Sequence, residues 1–149
     1  MMHLYVSIGE QRLRLYQGSE LIAEYPISSA ANGIGFHEGS YRTPTGRFEI
    51  SEKIGDGEET GTIFKSRQPV GVWDGSPCDD DLVLTRILRL HGLDAENANS
   101  MERYIYIHGT NQEQLLGQPA SCGCIRMGNQ DVIDLFDRIE VGAPLVIGA

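Results

Sequence analysis

The chain has 149 residues, of which 40% are apolar, so it is long enough to bury one hydrophobic core. Its net charge of −9 disfavours binding to nucleic-acid phosphates and to anionic membrane surfaces, and no apolar run approaches the ~18 residues that span a bilayer. We therefore expect a single domain over residues 1–149 with no nucleic-acid or membrane partner. The composition leaves the oligomeric state open.

The N-terminal segment Met1–Glu10 has no basic region, no apolar stretch and no small-residue cleavage site, so no export signal is expected there. The three cysteines are odd in number, which argues against a disulfide framework and for free thiols. Both features predict a cytoplasmic location.

Glycine is abundant, with 18 residues, and aromatic residues are few, which favours a turn-rich β protein. Period-two alternation and short apolar runs between turn residues predict β strands. In chain order these lie at Leu4–Ile8, Leu13–Leu15, Leu21–Ile27, Arg47–Ser51, Thr62–Ser66, Leu82–Leu90, Tyr104–Ile107 and Leu145–Ile147. Polar, glycine-rich loops are expected between them, over 28–45, 55–61, 71–81 and 91–101.

One α-helix is predicted near the C-terminus. Asn129 can cap its start, and Val132, Phe136 and Ile139 recur on one face at i, i+4 and i+7. Gly142 fits the left-handed position that ends a helix. The pattern thus predicts a mainly β protein with one C-terminal helix.

The residues with chemical potential follow the strand that ends at His108. A thiol needs a base or a cationic neighbour to become a nucleophile at neutral pH, and His108 is placed to serve Cys124. Gly123 allows a sharp turn whose N–H groups point to one side, as in an oxyanion hole. On these residues alone, a catalytic pair and a buried structural thiol with a core histidine both remain open.

Two segments carry a family resemblance: Ile107–Thr110 reads Ile-His-Gly-Thr, and Ser121–Met127 reads Ser-Cys-Gly-Cys-Ile-Arg-Met. Together with Thr43–Ile50, which reads Thr-Pro-Thr-Gly-Arg-Phe-Glu-Ile, they resemble the YkuD-type L,D-transpeptidase family in order and spacing. The resemblance implies a small β-sandwich of mixed sheets with one C-terminal α-helix.

The resemblance also implies an activity on the stem peptides of peptidoglycan. The Cys124 thiolate would attack the carbonyl of the third-position diamino acid, D-Ala would leave, and a thioester would remain. His108 would act as the base, the Gly109 carbonyl would orient its ring, and no metal or organic cofactor would be needed. An amine acceptor would give a cross-link or an exchange product, whereas water would give a tripeptide.

Three further residues of the motif have open roles. Cys122 stands where many members have histidine; it could pack beside the site, tune the nucleophile or substrate choice, or form a redox pair with Cys124. Arg126 could hold a substrate carboxylate or brace the turn through backbone carbonyls. Ser121 could donate a hydrogen bond near the oxyanion or serve only as a turn residue.

A zinc site is an alternative for the same thiols, with His108, Cys122 and Cys124 joined by Cys78 or His91, although this spacing matches no familiar zinc motif. Without such a zinc site, Cys78 is expected to have no functional role.

The expected location selects among the family's reactions. A cytoplasmic enzyme would meet soluble muropeptides with water as the acceptor, which predicts an L,D-carboxypeptidase that trims tetrapeptides to tripeptides. The alternatives are an L,D-transpeptidase of the periplasm or cell envelope and an inactive muropeptide-binding module.

Overall fold

The computed structural model describes residues 2–149, and this part of the chain contains ten β strands, one α helix and one short 3-10 helix at Glu113–Leu115. The strands are β1 Met2–Ser7, β2 Arg12–Gln17, β3 Glu20–Ser28, β4 Gly46–Ile54, β5 Thr62–Lys65, β6 Gln68–Val72, β7 Val83–Gly92, β8 Tyr106–Gly109, β9 Ile125–Met127 and β10 Pro144–Gly148. The helix α1 spans Asn129–Arg138. Within residues 2–149, no helix is long and apolar enough to cross a membrane.

Eight of the strands form one closed ring. Neighbours follow the order β4-β10-β1-β2-β3-β9-β8-β7, and β7 pairs back with β4. The β5–β6 hairpin extends from the N-terminal half of β7, where Ile63 and Phe64 of β5 pair with Leu84 and Val83. Closure leaves the ring no open edge, because every ring strand is paired on both sides.

The fold prediction is confirmed in its mainly β character and its single C-terminal helix, but the sandwich is wrong. A sandwich needs two sheets with separate edges, whereas here β4 pairs with β10 on one side and with β7 on the other. The sheet is mixed, since β1–β10 and β8–β9 are parallel and the other pairs are antiparallel.

The core fills the interior of the ring with alternate side chains of its strands. Phe48, Leu88 and Ile107 are buried in one apolar cluster with side chains from the other ring strands. Val132 and Phe136 of α1 join the same cluster, as the i, i+4 spacing predicts. The helix therefore packs through one face onto the barrel.

Both predicted helix boundaries differ from the structure. The N-cap is Gly128, and Asn129 is the first helical residue, with its side chain turned away to bond Thr110. The helix ends at Arg138, and Gly142 instead has φ +94° in a turn that the Ala143 N–H to Glu140 carbonyl bond closes. A polar side chain with a tertiary partner thus does not cap its own helix.

The sequence did not predict two of the strands, β6 and the three-residue β9, and it placed the start of β8 too early. The structure contains the strand β6 at Gln68–Val72, where the sequence predicted a loop from Gly71 onward; all five of its residues are exposed, so it carries no apolar alternation. The predicted strand at Tyr104 begins only at Tyr106, because Tyr104 has φ +56°.

The loop between β7 and β8 is fastened by one buried amide. Asn97 accepts a hydrogen bond from Asp94 N–H and donates to the carbonyls of Thr45 and Arg47, and it is fully buried. Replacing Asn97 by Ala would remove the side-chain partner of Asp94 N–H and of the Thr45 carbonyl, and would leave the Arg47 carbonyl with only the Leu93 N–H. We expect a loss of about 2–3 kcal/mol in the free energy of unfolding, measured by urea denaturation.

Asn32→Ala is the matched control, because exposed Asn32 makes one 3.3 Å bond to the Ser40 carbonyl. Its effect is expected below about 0.5 kcal/mol. Equal effects of the two substitutions would contradict the role given to Asn97.

Candidate active site

Parallel pairing of β8 and β9 brings the two predicted catalytic residues together. Ile107 lies opposite Ile125, and His108 lies opposite Arg126. Both isoleucines point into the core, so strand alternation directs His108 and Arg126 to the outer face of the barrel. Cys124 immediately precedes β9 and shares that face, diagonal to His108 across the pair.

The thiol of Cys124 is held by the backbone of the segment that leads into β8. Tyr106 N–H donates to Sγ at 3.3 Å, and the thiol donates to the Tyr104 carbonyl, also at 3.3 Å. The side chain packs against the apolar cluster of Phe64, Ile87 and Tyr106. Desolvation is the main reason that the pKa of Cys124 is raised to about 12, and the hydrogen bond from Tyr106 N–H offsets part of this shift. The resting group is therefore a neutral thiol.

The His108 ring is buried and oriented by its own strand. Its Nδ1 lies 2.6 Å from the Gly109 carbonyl oxygen, which can only accept, so Nδ1 carries the proton and Nε2 has a free lone pair. Burial lowers the pKa of His108, the charge of Asp81 opposes that shift, and Arg126 adds to it. A neutral imidazole with a free Nε2 can accept a proton.

A polar network behind the ring explains why a glycine follows His108. A Cβ at Gly109 would lie 2.7 Å from the Leu84 carbonyl and collide with Asn129 Oδ1. That oxygen accepts a 2.6 Å bond from the Thr85 hydroxyl, and Asn129 Nδ2 donates to the Thr110 carbonyl at 2.8 Å. The network fixes the backbone at Thr110, next to the carbonyl that holds the imidazole.

The turn before Cys124 is cross-braced by two hydroxyl groups. Ser121 Oγ donates to the Cys124 carbonyl at 2.6 Å and accepts the Gly123 N–H at 3.2 Å. Thr43 Oγ1 donates to the Gly123 carbonyl at 2.9 Å. Gly123 has φ +132°, a conformation that favours glycine. Ser121 thus acts as a turn residue here, and its hydroxyl proton is directed away from the thiol.

Arg126 has a partner that the sequence did not suggest. Its Nη2 lies 3.0 Å from Asp81 Oδ2, and its Nη1 donates to Gln112 Oε1 at 2.9 Å. Its guanidinium therefore neither braces the turn through carbonyls nor faces the groove that contains the thiol.

The Asp81 carboxylate comes from the loop over 73–82, which Asn111 anchors. The Asn111 amide accepts Leu82 N–H at 3.1 Å and donates to the carbonyls of Cys78 and Asp80 at 3.2 and 3.0 Å. Sequence reasoning missed Asp81 and Asn111. A signal was available for Asn111 alone, since it follows the Ile-His-Gly-Thr motif directly.

A groove of about 170 Å³ opens over the thiol. Cys122 lines it beside Cys124 and is exposed, so it belongs to the site rather than to the core. The other lining residues are Glu38, Gly39, Tyr41, Glu102, Arg103, Tyr104 and Ile105. Cys78 lies apart, in a cavity with Trp73 and Asn111. Residues 2–149 contain no group of three or more His, Cys, Asp or Glu placed to hold a metal ion.

Comparisons with solved structures agree with this geometry at the level of the fold. An L,D-transpeptidase from Mycobacterium smegmatis superposes with a TM-score of 0.63 at 18% identity, covering 99% of this chain and 58% of that one. L,D-transpeptidase 3 from Mycobacterium tuberculosis gives 0.62 at 18% identity, with 99% and 61% covered.

Two curated relatives come from Bacillus. A Bacillus subtilis protein, provisionally named L,D-transpeptidase YqjB, is 36% identical over 114 residues, which are 74% of this chain and 59% of that protein. A Bacillus licheniformis protein, provisionally named L,D-transpeptidase YkuD, is 28% identical over 142 residues, which are 95% and 62%. The chain thus spans less than two thirds of the length of these relatives.

The family described as the L,D-transpeptidase catalytic domain matches residues 2–147, which include the strand, the turn and the helix that form the site. This chain belongs to the YkuD family of L,D-transpeptidase catalytic domains.

Proposed function

We propose that this protein is a cysteine acyltransferase that cleaves the L,D bond before the terminal D-Ala of peptidoglycan stem peptides. One observation carries the proposal. The Cys124 thiol and the His108 imidazole, whose Nδ1 lies 2.6 Å from the Gly109 carbonyl oxygen, share one face of two adjacent strands, and the thiol lines an open groove.

In the first half-reaction, His108 Nε2 takes the Cys124 proton as Sγ attacks the carbonyl carbon of the third residue. The tetrahedral intermediate collapses, the C–N bond breaks, and the imidazolium returns its proton to the departing amine of D-Ala. A thioester at Cys124 remains. The Cys124 N–H, in the turn that Ser121 and Thr43 brace, is the proposed oxyanion donor, because the Gly123 N–H is already bonded to Ser121 Oγ.

The acceptor decides the second half-reaction. We retain hydrolysis as the proposal, which would make the protein an L,D-carboxypeptidase of the cytoplasm. Transfer to an amine would make it an L,D-transpeptidase, and the names of the two Bacillus relatives favour that alternative. A peptide-binding module without turnover is the third candidate.

One assay separates these candidates. The protein is incubated with a disaccharide-tetrapeptide, with and without an excess of a D-amino acid, and the products are identified by mass. Loss of D-Ala alone supports hydrolysis, exchanged or dimeric products support transpeptidation, and an unchanged substrate supports the binding module.

Cys124→Ala is expected to lower D-Ala release about a thousandfold or more, because Cys124 directly precedes β9 and shares the outer face of β8 and β9 with His108. Cys122→Ala is the matched control, since Cys122 lines the same groove, and it should retain most of the activity. The reverse result would assign the nucleophile to Cys122.

The pH dependence of kcat/KM follows from the two neutral groups. Since burial lowers the pKa of His108, the fall of kcat/KM on the acid side should have its midpoint below pH 6.5, the ordinary pKa of histidine. Since the pKa of Cys124 is raised, activity should stay level to about pH 9. A decline between neutrality and pH 9 would instead indicate that a thiolate–imidazolium pair is the reactive form.

Asp81→Asn tests whether the charge of Asp81 helps to set the pH at which kcat/KM falls on the acid side. The Asp81 carboxylate favours the protonated imidazole, so its removal should move the acid limb of kcat/KM to lower pH. Asp79→Asn, which changes an exposed residue of the same loop, is the control and should leave the limb in place.

A further inference from the structure

The hairpin between β5 and β6 turns through two residues in an unfavourable conformation. Ser66 and Arg67 connect Lys65 to Gln68, and both have left-handed φ values, 48° and 65°. Two-residue turns of this kind favour Asn-Gly, because a side chain strains a left-handed backbone. An arginine at this position points to a function for its side chain rather than to turn formation.

The Arg67 guanidinium lies over two tyrosines that also contact the nucleophile. Its Nη1 donates to Tyr106 Oη at 3.0 Å, and its Cζ lies 5.5 Å from the centre of the Tyr104 ring. Ser66, Arg67, Tyr104 and Tyr106 line a cavity of about 300 Å³. Within residues 2–149, Arg67 forms no salt bridge and this one side-chain hydrogen bond, so most of its five N–H donors remain for a ligand.

Tyr104 lines both this cavity and the groove over the thiol. The Tyr104 carbonyl accepts the Cys124 thiol proton, and Tyr106 N–H donates to the same sulfur. Arg67 therefore contacts the side chains of the two tyrosines whose backbone holds the thiol. Tyr104 is 55% exposed, and its φ of +56° shows that it too has a strained backbone conformation.

We propose that Arg67, supported by Tyr104 and Tyr106, is a carboxylate-binding subsite for the peptide substrate. A guanidinium presents a planar pair of N–H donors that matches a carboxylate, and an aromatic face holds it in place. The identity of the ligand rests on the proposed function. A stem peptide offers two candidate groups: the terminal carboxylate of D-Ala, and the side-chain carboxylate that meso-diaminopimelate has and lysine lacks.

The test measures binding in the Cys124→Ala protein, so that recognition is separated from turnover. Calorimetry compares three tetrapeptides: one with meso-diaminopimelate and a free terminus, one with lysine at the third position, and one with meso-diaminopimelate and a C-terminal amide. Arg67→Gln should weaken binding of the first peptide at least tenfold. One of the other two peptides, the one that lacks the recognised carboxylate, should be unaffected.

Insensitivity of the lysine peptide identifies the side-chain carboxylate, and insensitivity of the amide identifies the terminal one. An equal loss for all three peptides, no loss for any of them, or no binding to any of them overturns the subsite. Arg67→Lys keeps the charge without the planar fork and should fall between the wild-type residue and Gln. Lys65→Gln removes an exposed cation from the same hairpin and should change none of the affinities.

A folding control is available at the same position. Arg67→Gly suits the left-handed turn, so it should keep the melting temperature while it weakens binding of the first peptide as Gln does. Failure of the subsite and failure of the proposed function give different results. If D-Ala is released and binding does not depend on Arg67, the subsite alone is contradicted. If binding depends on Arg67 and no peptide releases D-Ala, the enzymatic proposal alone is contradicted.

Discussion

The parallel register between β8 and β9 is the constraint on which the site depends. It sets Ile107 against Ile125 inside the barrel, and the same alternation places His108 and Cys124 together outside it. A slip of one residue in either strand would turn an isoleucine outward and a polar group into the core. The hydrophobic core and the candidate active site therefore specify each other, and the register is as strongly fixed as the core itself.

Burial then determines the form of the chemistry. Both titratable groups lose hydration, so the pKa of Cys124 rises while that of His108 falls, and each change favours the neutral state. A cysteine beside a charged histidine would rest as a thiolate. In the proposed mechanism the proton would stay on sulfur until the substrate is attacked, and the Gly109 carbonyl would keep Nε2 free to accept it.

The sequence predicted what local patterns and a family motif encode. The strand ending at His108, the turn before Cys124 and the apolar face of α1 all follow from spacing within a few residues. Closure of the ring was missed, because the β4–β7 pairing joins distant segments and leaves no local trace. The exposed strand at Gln68–Val72 was missed because no face of it is buried, so no alternation could reveal it. The ion pair between Asp81 and Arg126 was missed because a run of three aspartates looks like solvated loop.

That ion pair connects the loop over 73–82 to the proton chemistry. The Asp81 carboxylate neutralises a buried guanidinium beside His108, and its charge offsets part of the shift that burial imposes on the imidazole. Asn111, which anchors the loop, directly follows the residues that hold the histidine. Movement of the loop would thus change the electrostatics of the base. Because the loop leads into β7, where Leu84 pairs with Gly109, the position of Asp81 and the basicity of His108 are physically coupled.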